Sequence, residues 1–539
     1  MDAFSELLEN LLLTPSRNQK LALLVAFFSD QADPDRGWAV AALTDSLEFK
    51  SVKAGLIRKM VEQRVDPVLF RLSYDYVGDL AETVSLIWPD GDRLQRIPAI
   101  AEIIEDLGGP DQAQVEIQLA LWLDGLNPRQ RWALIKLIGG GMRVGISARL
   151  VKQALATFGS VDINDIEAIW HGLDAPYEAL FAWLDGRADR PVSCRPALFR
   201  PVMLAHPLLV KSQRDDVESF DRNLVNGQTF AAEWKYDGIR IQGVSDAGVT
   251  RLYTRTGDDI SHAFPDVLVG LPDNVVIDGE LLIRQPDGGV APFNHLQKRL
   301  NRKRVSKKLL AAYPAFIMAY DLLVDGAEDV RADSFRSRRA RLEQTIERFN
   351  KDLFSLSPLL PCVDFDKLDV ARREPPSSEI EGVMLKRWDS PYTAGRPRGA
   401  WFKWKRDPYL IDAVLIYAQR GHGRRSSFYS DFTFAVWREV DGVEQLTPVG
   451  KAYFGFSDAD MKRIDKFVRA HTIDRFGPVR AVQADKSTGL VFEIAFEGLQ
   501  RSTRHKSGVA MRFPRINRIR WDKPASEADR LHVLERMLP

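Results

Sequence analysis

Cysteine is nearly absent from this chain: there are two in 539 residues, Cys194 and Cys362. Neither lies in a Cys-x-x-Cys pair, so disulfide frameworks, zinc modules and dithiol redox chemistry are excluded, and a reducing cytosol is expected. Long apolar runs are missing as well. The longest, residues 21–28, falls far short of the roughly 20 residues that cross a bilayer. The N-terminal residues Asp2, Glu6, Glu9 and Asn10 are not the basic stretch of a signal peptide. A cytoplasmic or nucleoid-associated protein, neither secreted nor membrane-bound, is the expectation. Charge of one sign is lacking too: 75 Lys+Arg stand against 74 Asp+Glu, a net charge of +1. Taken alone, that argues against a polyanionic partner. No internal repeat or low-complexity tract occurs.

What is present is globular composition, 45% hydrophobic and 28% charged, in a chain long enough for three or four domains at about 150 residues each. Residues 1–190 read as successive helices. Thr14-Pro15 offers an N-cap and first-turn proline, and Ser147 can cap a helix whose apolar face includes Leu150, Val151, Ala154 and Leu155. Prolines then crowd over residues 191–207 (Pro191, Pro196, Pro201, Pro207) and disfavour helix, which marks a linker. From 208 to 405 short β-branched and aromatic runs such as IRIQGVS, NVVIDGELLI and AFIMAYDLLV alternate with turns, a mixed α and β domain. From 406 to 539 the strands YLIDAVLIYAQ, DFTFAVWREV and LVFEIAFEGL, with one helix near 458–470, suit a small closed barrel.

The sharpest segment is AEWKYDGIRIQ, which holds Glu233, Lys235, Asp237, Gly238 and Arg240. Alternation places Lys235 and Asp237 on one strand face. A lysine is nucleophilic only when neutral, so a catalytic one needs desolvation or neighbouring cations. Alone, Lys-x-Asp-Gly is weak, and a solvated lysine at a strand end is the bland reading. Further polar constellations follow in order. VVIDGELL brings Asp278 and Glu280, and EIEGVMLKRW brings Glu381 and Lys386; carboxylates delivered from separate strands suit a hard divalent cation such as Mg2+. In WFKWK, Lys403 and Lys405 share one face, where they repel unless an anion such as a triphosphate lies between them. MRFPRINRIRWDK supplies Arg512, Arg515, Arg518, Arg520 and Lys523 against the single acid Asp522, which favours a phosphate partner. Residues 298–308 hold seven basic residues and no acid. A glycine-containing loop at 419–431 adds Arg420, Arg424 and Arg425.

KYDGIR, DGE, AYDLL, EGVMLK, WFKWK and RFPRINRIRWDK, in this order, resemble the nucleotidyltransferase motif series of ATP-dependent DNA ligases, over residues from about 205 to the end. The helical region, with RVGIS and PVMLAHPL, is similar to the N-terminal DNA-binding domain of the larger members. The resemblance implies a multidomain α and β protein: an all-α DNA-binding domain (1–190), a proline-rich linker (191–207), an α+β adenylation domain (208–405) and an all-β OB-fold (406–539). It implies ATP as adenylate donor, Mg2+ or another divalent cation, and a nicked DNA duplex encircled by a monomer. Lys235 would carry AMP, supported by Asp237, Lys403 and Lys405. Glu233, Arg240, Arg255, Glu280, Tyr320, Arg398, Lys403 and Lys405 would bind ATP, and Glu280 and Glu381 the metal. Arg512, Arg515, Arg518, Asp522 and Lys523 would orient pyrophosphate as the barrel closes, with residues 405–407 near the hinge. Arg143, Lys152, Arg420, Arg424 and Arg425 would contact DNA. An RNA ligase, a capping-type guanylyltransferase and a catalytically silent DNA-binding protein are the alternatives. NAD as donor is disfavoured, because ligases of that type carry a four-cysteine zinc module.

Overall fold

The computed structural model describes residues 1–539 apart from 48, 50, 51, 53, 110, 111, 141, 193, 194, 209–224, 301, 303, 362, 363, 421–428, 454–457, 504 and 539. Cys194, Cys362, Arg424 and Arg425 lie outside the described residues. Contacts divide the chain into two units: Met1–Val161 with Asp174–Asp189 and Pro408–Pro539, and Asp162–Leu173 with Arg190–Asp407. No helix among the described residues is long and apolar enough to cross a membrane.

The first unit begins with helices, from Asp2–Leu13 onward. Ser147 caps Ala148–Phe158 by accepting from the Leu150 amide, and Leu150, Val151, Ala154 and Leu155 are buried as the periodicity requires. Thr14-Pro15 does not start a helix. Ser16 is the cap of Arg17–Asp30, accepting from Gln19, and Thr14 closes the preceding helix. Thr14 and Ser16 stand two positions apart, both are good cap residues, and sequence alone does not rank them.

The rest of this unit is strand-rich: β12 (Tyr409–Arg420), β13 (Tyr429–Val440), β14 (Val443–Tyr453), β15 (Thr472–Phe476), β16 (Val479–Val482), β17 (Val491–Phe496), β18 (Gly498–Arg501), β19 (Val509–Arg512) and β20 (Arg515–Arg520), with the expected helix at Asp458–Ala470. The pairings β12–β13–β14–β20–β17–β12 close a five-stranded ring, to which β15 and β16 attach as a hairpin. Alternate residues Phe432, Phe434, Phe492, Ile494 and Ile411 fill it, so closure removes the edges that these apolar strands would otherwise expose.

The second unit holds the strands β1 (His206–Pro207), β2 (Phe230–Tyr236), β3 (Ile239–Asp246), β4 (Val249–Thr254), β5 (Val275–Ile283), β6 (Ala315–Asp325), β7 (Glu328–Asp329), β8 (Phe354–Leu356), β9 (Leu359–Leu360), β10 (Ile380–Arg387) and β11 (Trp401–Lys405). They form two sheets, one ordered β1-β11-β10-β2-β9 and the other β4-β3-β5-β6-β7, with β8 beside β6. The chain passes from one sheet to the other at Asp237-Gly238. A Cβ on Gly238 would lie 2.5 Å from the Leu281 carbonyl oxygen and 2.8 Å from Glu280 Cγ, so only glycine fits the crossing.

Within the stretch expected as a linker, residues 195–207 are not free. Prolines keep them from forming helix, but apolar residues among them bury: Ala197, Met203 and Ala205 pack with Val244, Val276, Leu323 and Trp401. His206–Pro207 pairs in parallel with β11. Within the basic run 298–308, Arg299 faces inward, wholly buried. It donates to both Asp266 oxygens and to the carbonyls of Ala263 and Tyr313. Its acid lies 33 residues upstream, beyond any local charge count.

Candidate active site

A cavity of about 440 Å³ opens between the two sheets, and the crossing from β2 to β3 forms one wall. Register sets which side chains face it. Across β2, β10 and β11 one row is Glu233–Met384–Lys403 and the next is Lys235–Gly382–Lys405. Alternation therefore brings Glu233, Lys235, Met384, Lys403 and Lys405 to one face, all of them lining the cavity. From the second sheet Arg240, Glu280, Met318 and Tyr320 line the other wall, and the turn after β4 adds Arg255 and Thr256.

Two residues owe their positions to β-bulges. Between Ile380 and Gly382 the β10–β2 register gains one residue, Glu381. A bulge re-aims the side chain it carries. Glu381 Oε2 accepts from Lys235 Nζ at 2.7 Å and lies 3.6 Å from Lys405 Nζ. In the other sheet Asp278 pairs with Asp321 and Gly279 with Ala319, which leaves Tyr320 as the extra residue.

Cations dominate the site. Burial lowers the Lys403 pKa, and so do Lys405, Arg396, Lys235 and Arg255. Arg255 is lowered by burial and by Arg240 and Arg396. Against them stand two carboxyls. Burial pushes Glu280 up to about 7 despite Lys235 and Arg240. Burial also acts to raise Glu381, but Lys235 and Lys405 outweigh it and hold its carboxyl below the usual range.

The deep end is a buried ionic network. Glu233 Oε1 accepts from Arg339 Nη1 at 3.0 Å, and its Oε2 meets Lys386 Nζ at 2.6 Å. The Lys386 ammonium lies 4.1 Å from the Tyr320 ring centroid and 4.7 Å from that of Trp401, a cation held on aromatic faces. Arg240 forms two hydrogen bonds with Asp278, which also accepts from the Tyr320 and Tyr392 hydroxyls.

Of the expected nucleotide residues, Glu233, Lys235, Arg240, Arg255, Glu280, Tyr320, Lys403 and Lys405 line this one cavity. Glu381 reaches it through Lys235. Asp237 does not line it, because β2 ends at Tyr236 and alternation stops there; Asp237 is buried in the turn, its amide donating to the Glu379 carbonyl. Arg398 is exposed and away from the lining, and Arg396 takes that place. Arg339 and Lys386 are further site residues that no local motif singled out for this role. Their partner Glu233 is 106 residues from Arg339 in sequence.

The remaining candidates lie in the other unit. Arg143, at φ 51°, is exposed, and Lys152 is half-buried on Ala148–Phe158. Arg420 ends β12 with its guanidinium 5.7 Å from the Tyr429 ring centroid. The C-terminal cations are not bare. Arg518 pairs with Glu493, Arg515 with Glu497, and Arg520 and Lys523 with Asp412. The compensating acids lie outside the segment, on β12, on β17 and just after β17, so a local count of one acid understates them. Burial lowers the pKa of Arg512.

The metal that the motif resemblance implies can be tested against the donors present. Among the described residues no group of three His, Cys, Asp or Glu side chains could hold an ion. The charge of Glu381 is felt by Glu280 across the site. A cation there would take two carboxylates and complete its shell with water and phosphate, which fits Mg2+.

A lysine among cations between two sheets, on a chain that also carries a closed five-stranded barrel, is the architecture of a covalent nucleotidyltransferase. A family model described as the ATP dependent DNA ligase domain matches residues 203–405, and one described as the ATP dependent DNA ligase C terminal region matches 425–523. A DNA ligase 1 of Korarchaeum cryptofilum is 30% identical, covering 91% of this chain and 85% of its own. A probable DNA ligase of Koribacter versatilis is 28% identical over 99% of this chain and 96% of its own. The solved chain named Pmar-Lig_PreS3 matches with a TM-score of 0.58, covering 96% of this chain and 99% of that one at 16% identity, a likeness of fold. The chain belongs to the ATP-dependent DNA ligase family.

Proposed function

We propose that this protein joins 5′-phosphate and 3′-hydroxyl ends at nicks in duplex DNA, with Lys235 as the residue that carries AMP. The observation that supports it best is the charge balance around Lys235: Lys403, Lys405, Arg255 and Arg396 gather near Glu280 and Glu381, while Glu233, which also lines the cavity, is already paired with Arg339 and Lys386, an excess of positive charge that a triphosphate would neutralise. Lys235 Nζ, once it has lost a proton, attacks the α-phosphorus. A P–N bond forms and pyrophosphate leaves. Glu381 orients Nζ through its 2.7 Å hydrogen bond, and Lys403 and Lys405 stabilise the charge that builds on the α-phosphate. AMP then passes to the 5′-phosphate of DNA, and the 3′-hydroxyl displaces it.

Glu233, held by Arg339 and Lys386, would meet the adenine edge beside the Tyr320 ring, and Arg240 the ribose. Glu280 and Glu381 would hold Mg2+, which when bound supplies charge neutralisation at the phosphates. Arg512, Arg515, Arg518, Asp522 and Lys523 would act on the leaving pyrophosphate. Arg143, Lys152 and Arg420 would grip the duplex. The cytosol would be the site of action.

Incubation with Mg2+ and α-labelled ATP tests this reading. A label that survives denaturation, is stable to alkali and is released by acid identifies the P–N bond. Lys235→Ala is expected to abolish it; labelling that persists in this variant would overturn the assignment.

A further inference from the structure

Residues Asp162–Leu173 group with the second unit, although the chain before and after them groups with the first. The helix Ile163–Ile169 and the turn Trp170–Gly172 make up most of this insert. Arg190 ties it in place: Nη1 donates to Asp165 Oδ1 at 2.8 Å and Nη2 to the Asp165 carbonyl at 3.1 Å. At its end His171 lies edge-on to Phe199, ring centroids 4.7 Å apart, and Phe199 packs on Tyr253 of β4.

The imidazole fills the space where residue 257 would carry a side chain. A Cβ on Gly257 would lie 2.2 Å from His171 Cε1, and Gly257 has φ +90°. This glycine closes the turn after β4. Its amide donates to the Thr254 carbonyl, and the Thr254 amide donates to the Asp258 carbonyl. The same turn carries Arg255 and Thr256, both lining the nucleotide cavity. Neighbouring residues of one short turn thus meet the cavity and rest on an imidazole from the helical part of the chain.

We propose that His171 is a positioning residue for the nucleotide site: it fixes the turn from behind, and so fixes the reach of Arg255 towards the phosphates. Backbone in a positive-φ turn is held by what packs on it, and a displacement of about 1 Å at a charged contact is enough to slow a transfer markedly. The proposal rests on the reading of Arg255 as a nucleotide contact. His171 itself touches no substrate.

The test uses the full chain and compares H171A, G257A, R255A and the pairs H171A/R255A and H171A/G257A for ATP KM, the rate of lysyl-AMP formation and Tm. H171A is expected to raise the ATP KM about three- to tenfold, and H171A/R255A to be no worse than R255A, as for residues acting through one contact. G257A presses a methyl group against the imidazole, so its defect should be partly relieved in H171A/G257A, where the ring is gone. A merely structural role would lower Tm and leave KM unchanged at temperatures where the variant is folded. That result overturns the proposal, as do additive effects of H171A and R255A. If R255A itself leaves the ATP KM unchanged, the reading of Arg255 fails and the proposal falls with it. If R255A raises KM and H171A does not, the proposal alone fails.

Discussion

Charges are placed here at a cost in stability. Glu233 lies almost wholly out of water, where an unpaired carboxylate costs several kcal/mol, and Arg339 and Lys386 offset that with direct contacts on both of its oxygens. For Lys403, burial and four neighbouring cations oppose its charge, and among the described residues no direct ion pair offsets them. Its pKa in the folded protein lies below the ordinary lysine value of 10.5. Between those two pKa values the unfolded chain binds more protons than the folded one, so stability from this group rises with pH across that window. Below it the charged lysine is a net burden. In the absence of ATP, Lys403→Gln should therefore be at least as stable as wild type near neutral pH. The difference should move in favour of wild type as pH climbs towards 10.5, read by denaturant unfolding at each pH. A difference that does not vary with pH would remove Lys403 from the strained set.

At the scale of strands, two bulges turn regular sheet into a site. Strict alternation along β10 puts Glu381 on the face opposite Met384 and Lys386; the extra residue brings its carboxyl to Lys235 instead. Gly382 makes this possible. It has φ 149°, and a Cβ there would sit 2.2 Å from the Trp404 carbonyl oxygen. Gly382→Ala must either move β11 or undo the bulge, at a cost of roughly 3 kcal/mol. Denaturant unfolding should show that loss, and the ATP KM should rise because both Lys405 and Glu381 shift. Unchanged KM would mean that the bulge does not organise the site.

These strands also show where sequence reading reaches and where it stops. The runs that became β3, β5, β6, β12 and β13 were legible because apolar alternation and flanking turns are local properties. A small closed barrel was legible too, but not its count of five strands, because β14 and β20 are rich in polar residues. Asp237 was placed on the strand face because alternation carries no mark of the crossing at Gly238. Glu381 stands out as one of several strand carboxylates and Tyr320 through motif resemblance alone, and in neither case does a bulge leave a sign in the periodicity. Arg339 and Arg396 went unnoticed because nothing near them in sequence reveals Glu233 or Lys403 as neighbours.

For the whole molecule the near-zero charge acquires a different meaning. The basic C-terminal segment holds a single acid of its own, yet Arg515, Arg518, Arg520 and Lys523 each meet an acid from outside it. Each such pair binds DNA phosphate only by giving up its carboxylate, and that exchange releases fewer counterions than a free cation would. Salt dependence of duplex binding should then be shallower than the number of basic residues suggests, since each phosphate neutralised by a free cation contributes a slope of about −0.9 in log K against log salt. Glu493 makes the point testable. Its carboxylate accepts from Arg518 at 2.9 Å and from Asn517. Glu493→Gln keeps the shape and an acceptor for Asn517 while it releases Arg518. If this face meets the duplex, the variant should bind nicked DNA more tightly at low salt, with a slope steeper by about one phosphate. Equal slopes for the two proteins would place Arg518 away from the DNA and leave its pairing with Glu493 as a contact that serves the barrel alone.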